Sequence, residues 1–152
     1  MAKLAAILGK TVYLDTNIFI YTVEGYAPEE AFLRELLAAL EDGRFTAITS
    51  ELSLAEVLVK PLELGNEAVA TAYAELLTSS DRLAVLPVDR AILVEAARQR
   101  AALGTRMPDA IHVATAVAGG CELFLTNDRP LKRGFQRRID CPYPSAVGLP
   151  MG

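Results

Sequence analysis

The sequence predicts an α/β fold in which helices cover both faces of a parallel β-sheet. Short runs of β-branched and aromatic residues alternate along the chain with longer segments whose apolar residues recur at helical spacing. Parallel strands need long crossover connections, usually helices, so this alternation favours three layers, α/β/α. In such sheets, ligands bind beyond the carboxyl ends of the strands. We therefore expect the functional site at that edge.

Four short segments are predicted as strands because they are apolar and end at polar residues or glycine. They are Thr11–Leu14, Phe45–Thr49, Leu83–Val88 and Glu122–Leu125. Pro87 indicates an irregular or edge strand, since proline cannot donate a hydrogen bond to a neighbouring strand.

Helices are predicted from their start and stop signals. Pro28 and Pro108 suit first helical positions, and Ser50 and Asp89 are good N-caps. The predicted helices are Pro28–Leu40, a helix from Ser50 to Pro61, Gly65–Leu77, Asp89–Leu103 and Pro108–Ala118. We expect Pro61 to stop its helix, because proline lacks the amide hydrogen that a helix interior needs.

Composition is that of one globular domain. The chain has 152 residues, 52% hydrophobic and 22% charged, which excludes intrinsic disorder. We assign residues 1–142 to this domain and residues 143–152 to a proline-rich tail.

The net charge of −4 does not indicate a nucleic-acid binder, although bound cations could change the charge that a phosphate meets. With two cysteines and no membrane span or signal peptide, we expect a soluble, cytoplasmic protein.

Acidic residues occupy four positions that such a fold could bring together. Asp15 follows the first strand directly, and Asp128 follows the fourth after Thr126 and Asn127. Glu56 lies about one and a half turns into the helix after the second strand, and Asp109 in the first turn of the helix that begins at Pro108. The predicted site is therefore a pocket of four carboxylates: Asp15, Glu56, Asp109 and Asp128.

Such a pocket favours a divalent cation. Two carboxylates about 4 Å apart repel by roughly 4 kcal/mol at an effective dielectric constant near 20. The ligands are hard oxygens, without a nearby pair of cysteine or histidine side chains, which suits Mg²⁺ or Mn²⁺ better than Zn²⁺. Such ions bind phosphates and activate water. The pattern therefore indicates metal-assisted hydrolysis of phosphodiesters.

Each acid alone also has an ordinary structural explanation. Asp15 could start a turn, Glu56 could form a capping box with Ser53, Asp109 could be a helix-start charge, and Asp128 could cap the residues after it. Only their joint placement favours the metal site.

Four sequence blocks carry a family resemblance. They are YLDTNIFIY (Tyr13–Tyr21), LSLAEVL (Leu52–Leu58), MPDAIHVATA (Met107–Ala116) and LFLTNDR (Leu123–Arg129). In this order and spacing they resemble the PIN-domain family, and within it the VapC-type toxin ribonucleases of toxin–antitoxin pairs. The first block begins later than is usual for compact members of the family, so Met1–Lys10 forms an additional N-terminal segment whose role is left open.

The resemblance implies a function and a set of roles. It implies a PIN-like fold and an Mg²⁺- or Mn²⁺-dependent endoribonuclease, the toxin of a type II pair, which leaves 5′-phosphate and 3′-hydroxyl ends. It also implies a small antitoxin partner and a homodimer. The acid quartet is carried over by motif position as catalytic residues and metal ligands. Our own hypothesis for the roles is that Asp15 and Asp109 are the principal ligands, that Asp128 completes or bridges the site, and that Glu56 orients a metal-bound water or a second ion.

Further residues are assigned supporting roles. Asn17, Thr126 and Arg129 are expected to bind the substrate or hydrogen-bond the acids. His112, the only histidine, is expected to be structural. Two other functions stay open: a catalytically inactive PIN-like module that binds RNA or protein, and a haloacid-dehalogenase-like phosphatase. The latter is disfavoured because Asn17 stands where those enzymes carry a second aspartate.

Overall fold

The computed structural model describes residues 2–25 and 30–126. Its strands are β1 (Thr11–Leu14), β2 (Thr46–Ser50), β3 (Leu83–Leu86) and β4 (Leu123–Leu125). Its helices are α1 (Ala2–Ala5), α2 (Thr16–Glu24), α3 (Glu30–Glu41), α4 (Glu51–Glu63), α5 (Glu67–Leu76), α6 (Arg90–Leu103) and α7 (Met107–Ala118). The predicted start of a helix at Pro28 and the predicted proline-rich tail lie outside the described residues.

The four strands form one parallel sheet in the order β3-β2-β1-β4. Tyr13 of β1 is in register with Ile48 of β2 on one side and Phe124 of β4 on the other. The predicted α/β class is confirmed, and β3 is an edge strand, as Pro87 indicated. Because β1 and β4 are parallel neighbours, the residues that follow them meet at one edge of the sheet.

Side chains that alternate along the strands build the three layers. Val12 and Leu14 of β1 lie in the larger core cluster, together with side chains from α1 to α5. Tyr13, between them, points to the opposite face and packs in a second cluster with Val113 of α7. Helix α6 packs against α7 through a third cluster that includes Ile92. The sheet therefore lies between α1–α5 on one face and α7, backed by α6, on the other.

Helix α2 was not predicted from the sequence. Its residues include Ile18, Phe19 and Ile20, which are poor helix formers. Burial of Ile18 and Phe19 in the larger core compensates for this low propensity. The Asp15 side chain caps the helix by accepting a hydrogen bond from the Thr16 amide at 2.8 Å. Asp15 thus directly follows β1 and is the N-cap of α2.

The prediction that the helix after β2 stops at Pro61 is wrong. Pro61 is buried inside α4, which continues to Glu63, while the predicted N-cap Ser50 is confirmed. A proline this close to a helix end removes only the hydrogen bond to the carbonyl of Val57. The Pro61 carbonyl itself still accepts a hydrogen bond, of 2.8 Å, from the Asn66 amide beyond the end of α4.

The first residues of the chain belong to the core. Leu4 is 7% exposed and Ile7 is fully buried, both within the larger core cluster. The Gly9 amide donates a 2.8 Å hydrogen bond to the Arg44 carbonyl, which fixes the approach to β1. None of the helices within residues 2–25 and 30–126 is long and apolar enough to cross a bilayer.

The buried Ile7 gives a direct test of this packing. We expect Ile7→Ala to lower the free energy of unfolding by about 2–5 kcal/mol, because it removes buried methyl groups and leaves a cavity. Urea denaturation measures the change. Val59→Ala is the control, since Val59 is 55% exposed and its truncation should cost less than about 0.5 kcal/mol. Equal midpoints for the two variants would contradict the core position of Ile7.

Candidate active site

Asp15 lies at the carboxyl end of β1 and is only 4% exposed. Its Oδ1 accepts the Thr16 amide at 2.8 Å, and its Oδ2 accepts the Thr126 hydroxyl at 2.6 Å and the Asn17 side-chain amide at 3.2 Å. Thr126 directly follows β4, so the strand order creates this contact. The structure thus brings together Asp15, Asn17 and Thr126, while their roles toward a substrate stay predictions.

Glu56 reaches the same edge of the sheet from α4. Its Oε1 accepts the Thr16 hydroxyl at 2.7 Å and lies 2.5 Å from Nε2 of His112. The Glu56 side chain is 35% exposed, whereas that of Asp15 is almost fully buried. Glu56 therefore forms the accessible rim of a cluster whose inner member is Asp15.

His112 links the two acids and was not predicted to touch them. Its ring is 2% exposed, with Nδ1 2.6 Å from the Tyr13 hydroxyl. Its Nε2 contacts Glu56 and lies 4.0 Å from Oδ1 of Asp15. The sequence contained one usable signal, because His112 follows Asp109 by three residues and so shares its face of α7.

Asp109 lies in the first turn of α7 and is 7% exposed. Its hydrogen-bond partner among the described residues is Arg106, whose Nε lies 3.3 Å from Oδ2. Asp128 and Arg129 lie outside the described residues. Within the described part of the chain, no three side chains of Asp, Glu, His or Cys are grouped closely enough to hold a metal ion. The complete four-carboxylate pocket therefore stays a prediction.

Hydroxyl side chains next to Asp15 and Glu56 connect the strands to α4. The Thr49 hydroxyl donates to the Leu14 carbonyl at 2.8 Å and lies 2.8 Å from Oγ of Ser53. The Thr16 hydroxyl is 3.4 Å from the same Ser53 oxygen. These contacts tie the ends of β1 and β2 to α4. They fix the distance between the element that carries Asp15 and the helix that carries Glu56.

Burial dominates the electrostatics of Asp15. It raises the pKa of this carboxyl above its ordinary value. The attraction of His112 and the hydrogen bonds from Thr126 and the Thr16 amide oppose that rise without cancelling it, and the charge of Glu56 adds to it. The protein environment therefore stabilises the ionised form of Asp15 less well than water does.

The pKa of Glu56 moves in the opposite direction. Burial alone would raise it, but the hydrogen bond and electrostatic attraction of His112 hold it below its ordinary value. The Thr16 hydroxyl and the charge of Arg106 act in the same sense. Two carboxyl groups in one cluster thus have their pKa values shifted apart, which is a common feature of functional sites.

A family model for the PIN domain matches residues 12–134, which is most of the chain. The chain belongs to the PIN domain family. The sequence has no significant match among curated proteins. Membership of the PIN domain family does not support the haloacid-dehalogenase-like phosphatase considered above.

Solved structures with the same fold include toxin–antitoxin complexes. VapBC2 from Rickettsia felis, bound to a DNA fragment from its promoter, contains a chain with a TM-score of 0.63 and 17% identity, covering 91% of this chain and 98% of that chain. A chain of DNA-bound VapBC from Salmonella typhimurium has a TM-score of 0.61 and 17% identity, and the match covers 93% of this chain and 99% of that chain. A chain of a toxin–antitoxin complex from Klebsiella pneumoniae has a TM-score of 0.58 and 22% identity, and the match covers 92% of this chain and 98% of that chain. At these identities the likeness shows a shared fold.

The raised pKa of Asp15 leads to a defined pH dependence of stability. Between the unfolded-state pKa of about 4 and the higher folded-state pKa, the folded protein binds more protons. The stability contributed by protonated Asp15 is complete below the unfolded-state pKa and is lost as pH rises through the folded-state pKa. The asparagine side chain of Asp15→Asn does not titrate, so this variant does not lose stability in that way. We therefore expect its free energy of unfolding, relative to that of the unsubstituted protein, to rise over that pH interval.

Urea denaturation at stepwise pH, with a chelator present, measures this difference. Asp81→Asn is the matched control, because Asp81 is exposed and precedes β3 at the opposite edge of the sheet. A relative stability of Asp15→Asn that falls with rising pH would contradict the direction of the shift.

Proposed function

We propose that this chain is a Mg²⁺- or Mn²⁺-dependent endoribonuclease, the toxin of a type II toxin–antitoxin pair. The supporting observation is the buried Asp15 at the carboxyl end of β1, with Glu56 and His112 beside it. Membership of the PIN domain family supports a nuclease. The proposed reaction is hydrolysis of RNA phosphodiester bonds to 5′-phosphate and 3′-hydroxyl ends.

The residues of the site fit a hard divalent cation. Asp15 is desolvated and its pKa is raised, so a nearby positive charge would favour its ionised form. The groups around it present oxygen donors, including the Glu56 carboxylate and the Thr16 hydroxyl. In this proposal Asp15, Asp109, Asp128 and Glu56 would hold the ion. When bound, it would activate water, bind the phosphate and stabilise the leaving oxygen.

The protein's own groups would orient the reaction. The Glu56 carboxylate, at the exposed rim, orients the attacking water by accepting a hydrogen bond from it, and the proton that the water loses passes to bulk solvent. The water oxygen bonds to phosphorus, the bond to the 3′-oxygen breaks, and that oxygen takes up a proton. Asn17, Thr126 and Arg129 would contact the phosphate, although Asn17 and Thr126 also hydrogen-bond Asp15.

The proposed partner is a small antitoxin protein, and the proposed assembly is a homodimer. The support is the fold shared with chains of VapBC complexes and of a Klebsiella pneumoniae toxin–antitoxin complex. Expression of the chain alone should arrest growth, and co-expression of a small upstream reading frame should relieve the arrest. Growth unaffected by the chain at a verified expression level would count against the toxin role.

An inactive PIN-like module that binds RNA or protein is the second candidate. Such a module would bind RNA with or without Mg²⁺ and would not cleave it.

The active-site assignment is tested with purified protein and labelled single-stranded RNA. We expect Mg²⁺-dependent cleavage that falls by about 100-fold or more in Asp15→Asn and in Asp109→Asn, which corresponds to a loss of about 2.7 kcal/mol of transition-state stabilisation. Asp81→Asn should keep full activity, since Asp81 is exposed and distant from the site along the strands. Product ends are assigned by their reactivity toward kinase and ligase.

The same assay separates the two candidates. Binding of RNA without cleavage, at every metal concentration, would support the inactive module. Full activity in Asp15→Asn would remove the assigned site even if the chain is a nuclease.

A further inference from the structure

We infer that His112 is a positioning residue that holds one oxygen of Glu56 through a hydrogen-bond chain anchored on Tyr13. The inference rests on the proposed nuclease function, in which Glu56 acts on water. It gives a role to a buried imidazole that the four-carboxylate scheme leaves unused.

The anchor of the chain is a side chain that packing holds still. Tyr13 is fully buried in the centre of β1, and its ring stacks on Phe124 of β4 with centroids 4.8 Å apart and planes 23° apart. The His112 ring meets the Tyr13 ring edge-on, at a centroid distance of 5.8 Å. The sheet core therefore fixes where the Tyr13 hydroxyl lies.

That hydroxyl favours one tautomer of the imidazole. A tyrosine hydroxyl carries its proton at neutral pH, and that of Tyr13 faces both Nδ1 of His112 and the Thr49 side chain. At 2.6 Å it can donate to Nδ1 of His112. An imidazole that accepts at Nδ1 carries its hydrogen on Nε2. Nε2 lies 2.5 Å from Oε1 of Glu56, so that hydrogen is directed at the carboxylate.

The two hydrogen-bond donors to Glu56 contact the same carboxylate oxygen. Both His112 and the Thr16 hydroxyl bind Oε1. Within the described residues neither donor contacts Oε2, so this oxygen can accept a hydrogen bond from the attacking water. Glutamate has a long, flexible side chain, and Glu56 is partly exposed, so two donors on one oxygen restrict where the other oxygen points.

A purely structural histidine is the competing explanation, and variants separate the two. His112→Leu removes the contacts with Tyr13, Glu56 and the Thr16 hydroxyl. Tyr13→Phe keeps the ring and removes the hydroxyl that contacts His112 and Thr49. His112→Gln offers an amide that can donate to Glu56. Val113→Ala is the control, because Val113 is a fully buried neighbour on α7 in the same cluster as Tyr13 and makes none of these contacts.

The expected kinetic result is a loss of kcat with KM for RNA unchanged. For each variant, kcat is measured per folded molecule at saturating Mg²⁺. We expect a decrease of about tenfold in His112→Leu, a smaller decrease in Tyr13→Phe, and recovery of at least part of kcat in His112→Gln. Val113→Ala should lower stability and keep kcat. Equal kcat in His112→Leu and Val113→Ala would overturn the inference.

A second measurement does not depend on RNA cleavage. His112 is the only histidine, so long-range ¹H–¹⁵N spectra of the full chain show one imidazole. We expect a hydrogen on Nε2, an Nε2 resonance that moves in Glu56→Gln, and an Nδ1 resonance that moves in Tyr13→Phe. Resonances that stay in place in both variants would overturn the hydrogen-bond chain.

The two measurements also separate failure of this inference from failure of the proposed function. An inactive unsubstituted protein would contradict the nuclease proposal, and the imidazole spectrum would still decide the hydrogen-bond chain. An active protein whose kcat is insensitive to His112 would contradict only the positioning role.

Discussion

The architecture of the site depends on the burial of one carboxylate, that of Asp15. Removal of a charged group from water is unfavourable unless hydrogen bonds replace the lost hydration. Three donors do so here: the first amide of α2, the Asn17 side chain, and the Thr126 hydroxyl beyond β4. The same bonds that satisfy Asp15 therefore fasten α2 to the ends of two neighbouring strands.

The polar contacts around Asp15 extend into a layer that runs across the edge of the sheet. Thr16 connects α2 to α4 by bonding Glu56, and Thr49 connects β2 to both the Leu14 carbonyl and Ser53. Short hydroxyl side chains suit this task, because each donates and accepts with few rotatable bonds. The result is that two carboxyl groups on separate elements are held beside one imidazole.

Stability and function make opposing demands at this edge. A neutral group in place of Asp15 would avoid the cost that its raised pKa reveals, whereas the proposed cation site would need the ionised form. Helix α2 shows the same compromise, because residues of low helix propensity form it directly after the capping Asp15. Local rules are most often broken in this way at functional sites, and the larger core supplies the compensation.

The sequence by itself determined the alternation of strands and helices and the parallel sheet, because side-chain periodicity and capping are local properties. It also determined the caps Ser50 and Asp89. The contact between Asp15 and Thr126 required the tertiary structure, because it depends on β1 and β4 being neighbours in the sheet. Only the tertiary structure decided that Pro61 lies within a helix and that His112 bonds both Tyr13 and Glu56. Tyr13 and His112 are 99 residues apart, and their contact exists because α7 packs on one face of the sheet. No local pattern encodes which buried donor will face which acceptor across such a distance.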